Sequence, residues 1–242
     1  MTDIPQLRFL ALATIVAGVV GVASPPVGAE QSPNETIKAA PVERLGPNLL
    51  RIGNIQVDTA KQEASVKGVV NDVEVLEFIA NPKGGAKAYE SAIELDTDAV
   101  NFNLALILIG LDHTRTKWPR RGEPPILPNG DPVEIWIEWT EGDQQRRVRA
   151  EQLVYNEVAK DTLTEGPWVY TGSVFIPENN AFLADLNGAL IGFVHRGAPV
   201  IDSPRPRPAG AYEANRLNPA LKLKAGTSVV LTVRALPRDK GH

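Results

Sequence analysis

The chain reads as a mostly β, α+β protein: an antiparallel β-sandwich or partly closed barrel with one buried helix near residues 97–111. Three observations carry this. Segments with apolar residues at every second position recur, Pro132–Trp139 (PVEIWIEW) being the cleanest. Clusters of turn-forming residues separate them. Only Asp96–Leu111 joins capping residues to a long apolar run.

The elements follow in order. Asn54–Asp58 and Ala64–Val69 alternate on either side of a polar turn, as a hairpin does. Glu74–Ala80 (EVLEFIA) is a strand, Asn81–Gly85 (NPKGG) a turn, and Ala88–Leu95 resumes extended structure. Asp96, Thr97 and Asp98 offer capping oxygens, and Gly110 suits the residue just past a helix end. From Leu104 the run is apolar nearly all round, so the helix is buried. Val100, Phe102, Leu104, Leu106 and Leu108 also fall at every second position, which leaves a strand as the alternative. Lys117–Pro132 (KWPRRGEPPILPNGDP) is a long, basic, Pro-rich surface loop. In the strand after it, Val133, Ile135, Ile137 and Trp139 face one way; Glu134, Trp136 and Glu138 face the other. Glu141-Gly142-Asp143 turns the chain into Gln145–Ala150, setting Arg147 and Arg149 opposite Glu134 and Glu138. Trp168–Phe175, Gly188–His195 and Thr227–Ala235 are further strands. Pro199–Pro219 holds five prolines and is a second long loop. Loops of this length in a compact domain are functional or disordered.

Met1–Ala29 has the features of a secretory signal: Arg8, an apolar run from Phe9 to Ala23, and small residues Val27 and Ala29 before the cut. The apolar run is shorter than the roughly 20 residues of a spanning helix. Cleavage after Ala23 and an uncleaved anchor are the alternatives. The expected organisation is signal 1–29, flexible leader 30–47, one domain over 48–237 and a disordered tail 238–242, in a periplasmic or secreted protein. With 25 Lys plus Arg against 29 Asp plus Glu, the formal charge is −4, which is no nucleic-acid footprint. The chain has no Cys, so disulfides, thiolate zinc and thiolate-held iron–sulfur clusters are excluded.

The order of a β-hairpin, Asn81-Pro82-Lys83-Gly84-Gly85 through Tyr89-Glu90-Ser91, Ile109-Gly110-Leu111, Gly130-Asp131-Pro132-Val133, Arg149–Leu153, Trp168–Ser173 and Gly226–Val229 resembles the YdjY domain family of exported bacterial proteins. The resemblance covers about residues 48–235. It implies an exported β-rich domain without a settled activity. Some relatives carry a ferredoxin-like label, which this Cys-free chain cannot honour with thiolates. Many have His-Glu-Ser where this chain has Tyr89-Glu90-Ser91, which puts any role of that His in doubt here.

The candidate site residues are Gly84, Gly85, Tyr89, Glu90, Ser91, His113, Trp136 and His195. Glu90 and Ser91 follow a glycine turn that lets backbone approach a ligand, and pair a carboxylate with a hydroxyl. His113 and His195 are the internal imidazoles, able to act as base or ligand. No spacing supports a metal site, and no cofactor is expected. Trp136, flanked by Glu134 and Glu138, is placed to stack a ligand or to meet Arg147 or Arg149. The basic loop with Arg115, Lys117, Arg120 and Arg121 offers a surface to anionic polymers. The expectation is a non-catalytic binding or assembly module for an envelope protein or polymer, touching membrane only through an uncleaved signal. The alternatives are a hydrolase or metal-assisted enzyme using Glu90, Ser91 and one His, and a purely structural exported protein.

Overall fold

Alternation of apolar residues closes into a barrel here. A computed structural model describes residues 38–119, 124–176, 178 and 180–238. The expected signal, residues 30–37 of the leader, residues 120–123, 177 and 179, and residues 239–242 lie outside the described residues. In chain order the strands are β1 (Val42–Arg44), β2 (Leu49–Ile52), β3 (Ile55–Asp58), β4 (Glu63–Val70), β5 (Phe78–Pro82) and β6 (Ser91–Leu95). Helix α1 (Ala99–Leu108) follows, then β7 (Asp131–Glu141), β8 (Gln144–Arg149), α2 (Ala150–Leu153), β9 (Val154–Asn156) and β10 (Asp161–Thr162). The last part holds β11 (Trp168–Tyr170), β12 (Phe175–Ile176), β13 (Ala181–Phe182), α3 (Leu183–Asn187), β14 (Ile191–Gly192), β15 (Ile201–Asp202), β16 (Asn215–Leu217) and β17 (Ser228–Ala235).

Eight strands form the barrel in the order β4–β17–β7–β11–β15–β14–β5–β6, and β6 returns to β4. The closure is complete, and the barrel is mixed: β5 with β6 and β14 with β15 run parallel. Strand β4 has a divided edge. Its first residues pair with β3 (Asp58↔Glu63, Gln56↔Ser65) and its last with β6 (Gly68↔Leu95, Val70↔Ile93). The β1–β2–β3 meander is thereby attached outside the barrel, as is β8 on β7. Strand β1 falls inside the expected leader; its pairing Val42↔Ile52 to Arg44↔Leu50 makes it part of the sheet.

Registers align the core in rows. Val66, Leu231 and Ile137 lie side by side across β4, β17 and β7, as do Ala64, Val233 and Ile135, all buried. On the opposite face Ser65 and Thr232 share a hydrogen bond of 2.9 Å beside Trp136. Burying the Val, Leu and Ile side chains of these rows contributes roughly 1.5–3 kcal/mol each.

Helix α1 resolves the ambiguity of its run. Asp98 caps it, accepting from the Asn101 N–H at 2.7 Å, and Asp185 of α3 accepts from the Ala99 N–H at 2.7 Å. Gly110 at φ +100° donates to the Ile107 carbonyl, and Leu111 donates to that of Leu106, the paired bonds of a Schellman stop. Three expected elements shrink or shift. The strand expected at Trp168–Phe175 ends at Tyr170, because Gly172 and Ser173 turn with φ of 72° and 53°. The one at Gly188–His195 contracts to β14, because α3 ends on Gly188 at φ 63°. Pro82 ends β5 instead of standing in a turn, and Ala88–Glu90 is a 3-10 turn. Arg238, expected in a loose tail, donates to Asp131 at 2.8 Å and to the Gly110 carbonyl at 2.9 Å. Among the described residues no helix is long and apolar enough to cross a membrane.

Candidate functional site

Two long connections build one cleft on the short-strand side of the barrel. The first spans Thr116 to Gly130. Its ends are clasped by Asn129, whose amide accepts from the Lys117 N–H at 2.8 Å and donates to the Lys117 carbonyl at 3.0 Å. Gly130, at φ +149°, then enters β7. A Cβ there would lie 2.1 Å from the Tyr170 carbonyl oxygen, so only glycine lets the loop pass β11. The second connection spans His195 to Pro208.

Between them lies a cleft of about 720 Å³. Trp118, Ile126 and Leu127 line it and are 47%, 50% and 46% exposed, an unusual outlay of apolar surface. Pro119, Pro125, Pro128, Pro199 and Pro206 complete the apolar walls. Thr171, His195 and Asp202 supply polar groups at its base, and Lys117 and Arg207 stand exposed in its lining. A second cleft of about 450 Å³ adjoins it at Trp118, which lines both, and holds His113, Asn103, Ser173, Phe175 and Phe182. A third concavity of about 590 Å³ lies against β4, β17 and the end of β7. Lys83 there is already paired with Asp96 at 2.7 Å, and no candidate residue lines it.

The polar groups of the main cleft are occupied. His195 Nε2 lies 2.8 Å from the Arg205 carbonyl oxygen, an acceptor only, so Nε2 carries hydrogen. Its Nδ1 lies 3.3 Å from Asp202 Oδ1. Burial pushes the Asp202 carboxyl above its ordinary range, and the His195 contact opposes this. Thr171 Oγ1 donates to the Pro199 carbonyl at 2.6 Å, and Ser173 Oγ to that of Ala198 at 2.6 Å. Ser173, His195 and Ala198 all sit at positive φ (53°, 57° and 45°), a cluster of left-handed non-glycine residues beside the cleft. Such backbone persists only where its surroundings over-determine it.

The residues singled out around position 90 lie elsewhere. Neither Glu90 nor Ser91 lines a cleft with His113 or His195. Ser91 is fully buried and donates to the Lys87 carbonyl at 2.7 Å. Glu90 is ion-paired with Lys87, whose ammonium also lies over the rings of Phe78 and Tyr89. The Glu90 contact raises the Lys87 pKa. Gly84 turns at φ +66° in open space, Gly85 packs against Pro82, and Tyr89 is 66% exposed. This segment is the crossover from β5 to its parallel partner β6. Trp136 has Arg147 4.3 Å and Arg149 5.2 Å from its ring centroid, so cations cover the face expected to stack a ligand. Arg147 lies opposite Glu138 and pairs with it, as expected; Arg149 lies opposite Trp136 instead, and reaches Glu134 diagonally. Among the described residues no three His, Asp or Glu side chains are grouped to hold a metal.

Sequence reasoning missed Asp202, Thr171, Trp118, Ile126, Leu127 and Arg207. The signal was present for three of these: large apolar residues among prolines in a loop have no core to fill.

The molecule is thus a mixed closed β-barrel with a loop-walled apolar cleft. A family model described as YdjY domain matches residues 55–234, and the chain belongs to that family. No curated protein and no solved structure matches it.

Proposed function

We propose that this YdjY-domain protein is an exported, non-catalytic binding module whose ligand enters the cleft lined by residues 116–119, 125–129 and 195–207. Export rests on the signal-like residues 1–29. The observation that supports binding over catalysis is the state of the polar side chains. Ser91, Thr171, Ser173 and both nitrogens of His195 are each engaged with backbone or a buried carboxylate. A nucleophile and its base need to face each other and a reacting atom. An apolar, loop-walled cleft of this volume is instead the form of a ligand pocket.

The test is a thermal-shift panel of apolar peptides, oligosaccharides, nucleotides and amphiphiles on the purified chain and on Ile126→Asp. At least one class should raise the midpoint of the parent and leave the variant unmoved, with the ligand recovered unchanged. Conversion of any panel compound to product, lost in His195→Ala, would overturn the reading.

A further inference from the structure

The chemistry of the walls narrows the ligand. Five prolines line the main cleft, and a proline has no N–H. The Lys117 N–H is taken by Asn129, and the Thr171 hydroxyl by the Pro199 carbonyl. A peptide lying in this cleft would bury carbonyl oxygens against proline walls that carry no N–H, and unpaired buried carbonyls are costly. An aliphatic chain has nothing to satisfy. Trp118, Ile126 and Leu127 give it a surface, and the adjoining cleft beyond Trp118 extends the apolar path to Phe175 and Phe182.

Charge defines the other end. Lys117 and Arg207 stand exposed in the lining, and neither makes an ion pair among the described residues. The carboxylate among the described lining residues, Asp202, is 4% exposed and held by His195; Arg207 is near enough to act on its charge, but no ion pair joins it to Lys117 or Arg207. We infer that the cleft takes a single-chain anionic amphiphile, its alkyl chain along Trp118 and its head between Lys117 and Arg207. The inference rests on the cleft being a binding site, and it adds the ligand's class.

Dodecanoate is the probe, titrated below its micelle-forming concentration into the full chain by calorimetry. Trp118 reports position, because Trp139 and Trp168 are buried and Trp136 lies under two arginines. Binding should change tryptophan emission, and Trp118→Phe should abolish that change. Affinity should rise from octanoate to decanoate to dodecanoate, by up to about fourfold per buried methylene. Lys117→Ala with Arg207→Ala should weaken dodecanoate about threefold to thirtyfold, with the weakening shrinking in high salt. These two residues are exposed, so the variant keeps its fold. Absence of binding, or affinity independent of chain length, overturns the inference. An apolar proline-containing peptide that outcompetes dodecanoate overturns it in favour of a peptide. If dodecanoate fails while another compound shifts the parent and not Ile126→Asp, the cleft stands and only its ligand class falls. If nothing does so, both fall.

Discussion

His195 concentrates much of what one residue does here. It sits at φ 57°, and its ring links Asp202 of β15 to the Arg205 carbonyl in the Pro-rich connection. The ring is thus the side-chain partner that faces the buried Asp202 carboxyl. Substitution by Leu would leave the Asp202 carboxyl buried without that partner. His195→Leu should cost about 3 kcal/mol in urea unfolding, and the double variant with Asp202→Asn should recover part of it. Purely additive losses would show that the two do not interact. Gly130→Ala is a backbone prediction at the same scale. Its Cβ would meet the Tyr170 carbonyl oxygen at 2.1 Å, so about 3 kcal/mol or more should be lost, read as a lowered urea midpoint. An unchanged midpoint would mean that the loop has another way into β7.

At the scale of elements, α2 and the second connection meet on one carboxylate. Glu151 is fully buried, accepts from the Gly166 N–H at 3.0 Å and from Arg149 at 3.2 Å, and has Arg205 at 3.8 Å. Glu151→Ala removes the buried carboxylate facing Arg205 and leaves Arg149 with Glu134 alone as its ion-pair partner. It should lower stability by about 2–3 kcal/mol and speed amide exchange at Gly166. Unaltered exchange at Gly166 would remove Glu151 as the anchor. Elements whose own residues dictate them were legible. The Asp98 cap and Gly110 stop announced α1, and the alternation of β7 announced its two faces. What escaped depends on distant partners. Ile191 and Gly192 pair with β5 and β15, and nothing in GALIGFVH says that only two residues do so. The candidate site divided in the same way. His195 and the two long loops were visible, but Asp202 became its partner only through the parallel β14–β15 pairing. Glu90 and Ser91 were attractive letters whose partners, Lys87 and its carbonyl, lie within four residues.

The charge distribution of the whole molecule sets its pH response. Burial raises the pKa of Glu77, with the nearby Glu90 adding to it, and burial likewise raises Asp185 and Asp202. Their folded values lie above the unfolded ones, so the folded chain holds protons that the unfolded chain releases. Their contribution is full below the ordinary carboxylate range and is lost as pH rises through the raised values. Asp58 and Asp112, lowered chiefly by hydrogen bonds from Lys61 and Thr114, act oppositely but at the exposed surface. Glu77→Gln should therefore flatten the fall of the melting midpoint as pH is raised from about 4 to 7. A slope equal to the parent's would exclude Glu77 from this balance.

The divided edge of β4 has a kinetic consequence. This strand, formed early in the chain, finds its longest partner in β17, with Glu63 opposite Arg234 near the other end. Until those last residues exist, β4 and β7 have no strand between them and the barrel stays open, so a long stretch of chain must be gathered when β17 pairs. Such non-local pairing makes folding slow, on the order of milliseconds to seconds. A chain ending before Ser228 should stay unfolded by circular dichroism, while adding β17 as a separate peptide should restore sheet signal. The last strand to be made is thus the one on which the earlier strands wait.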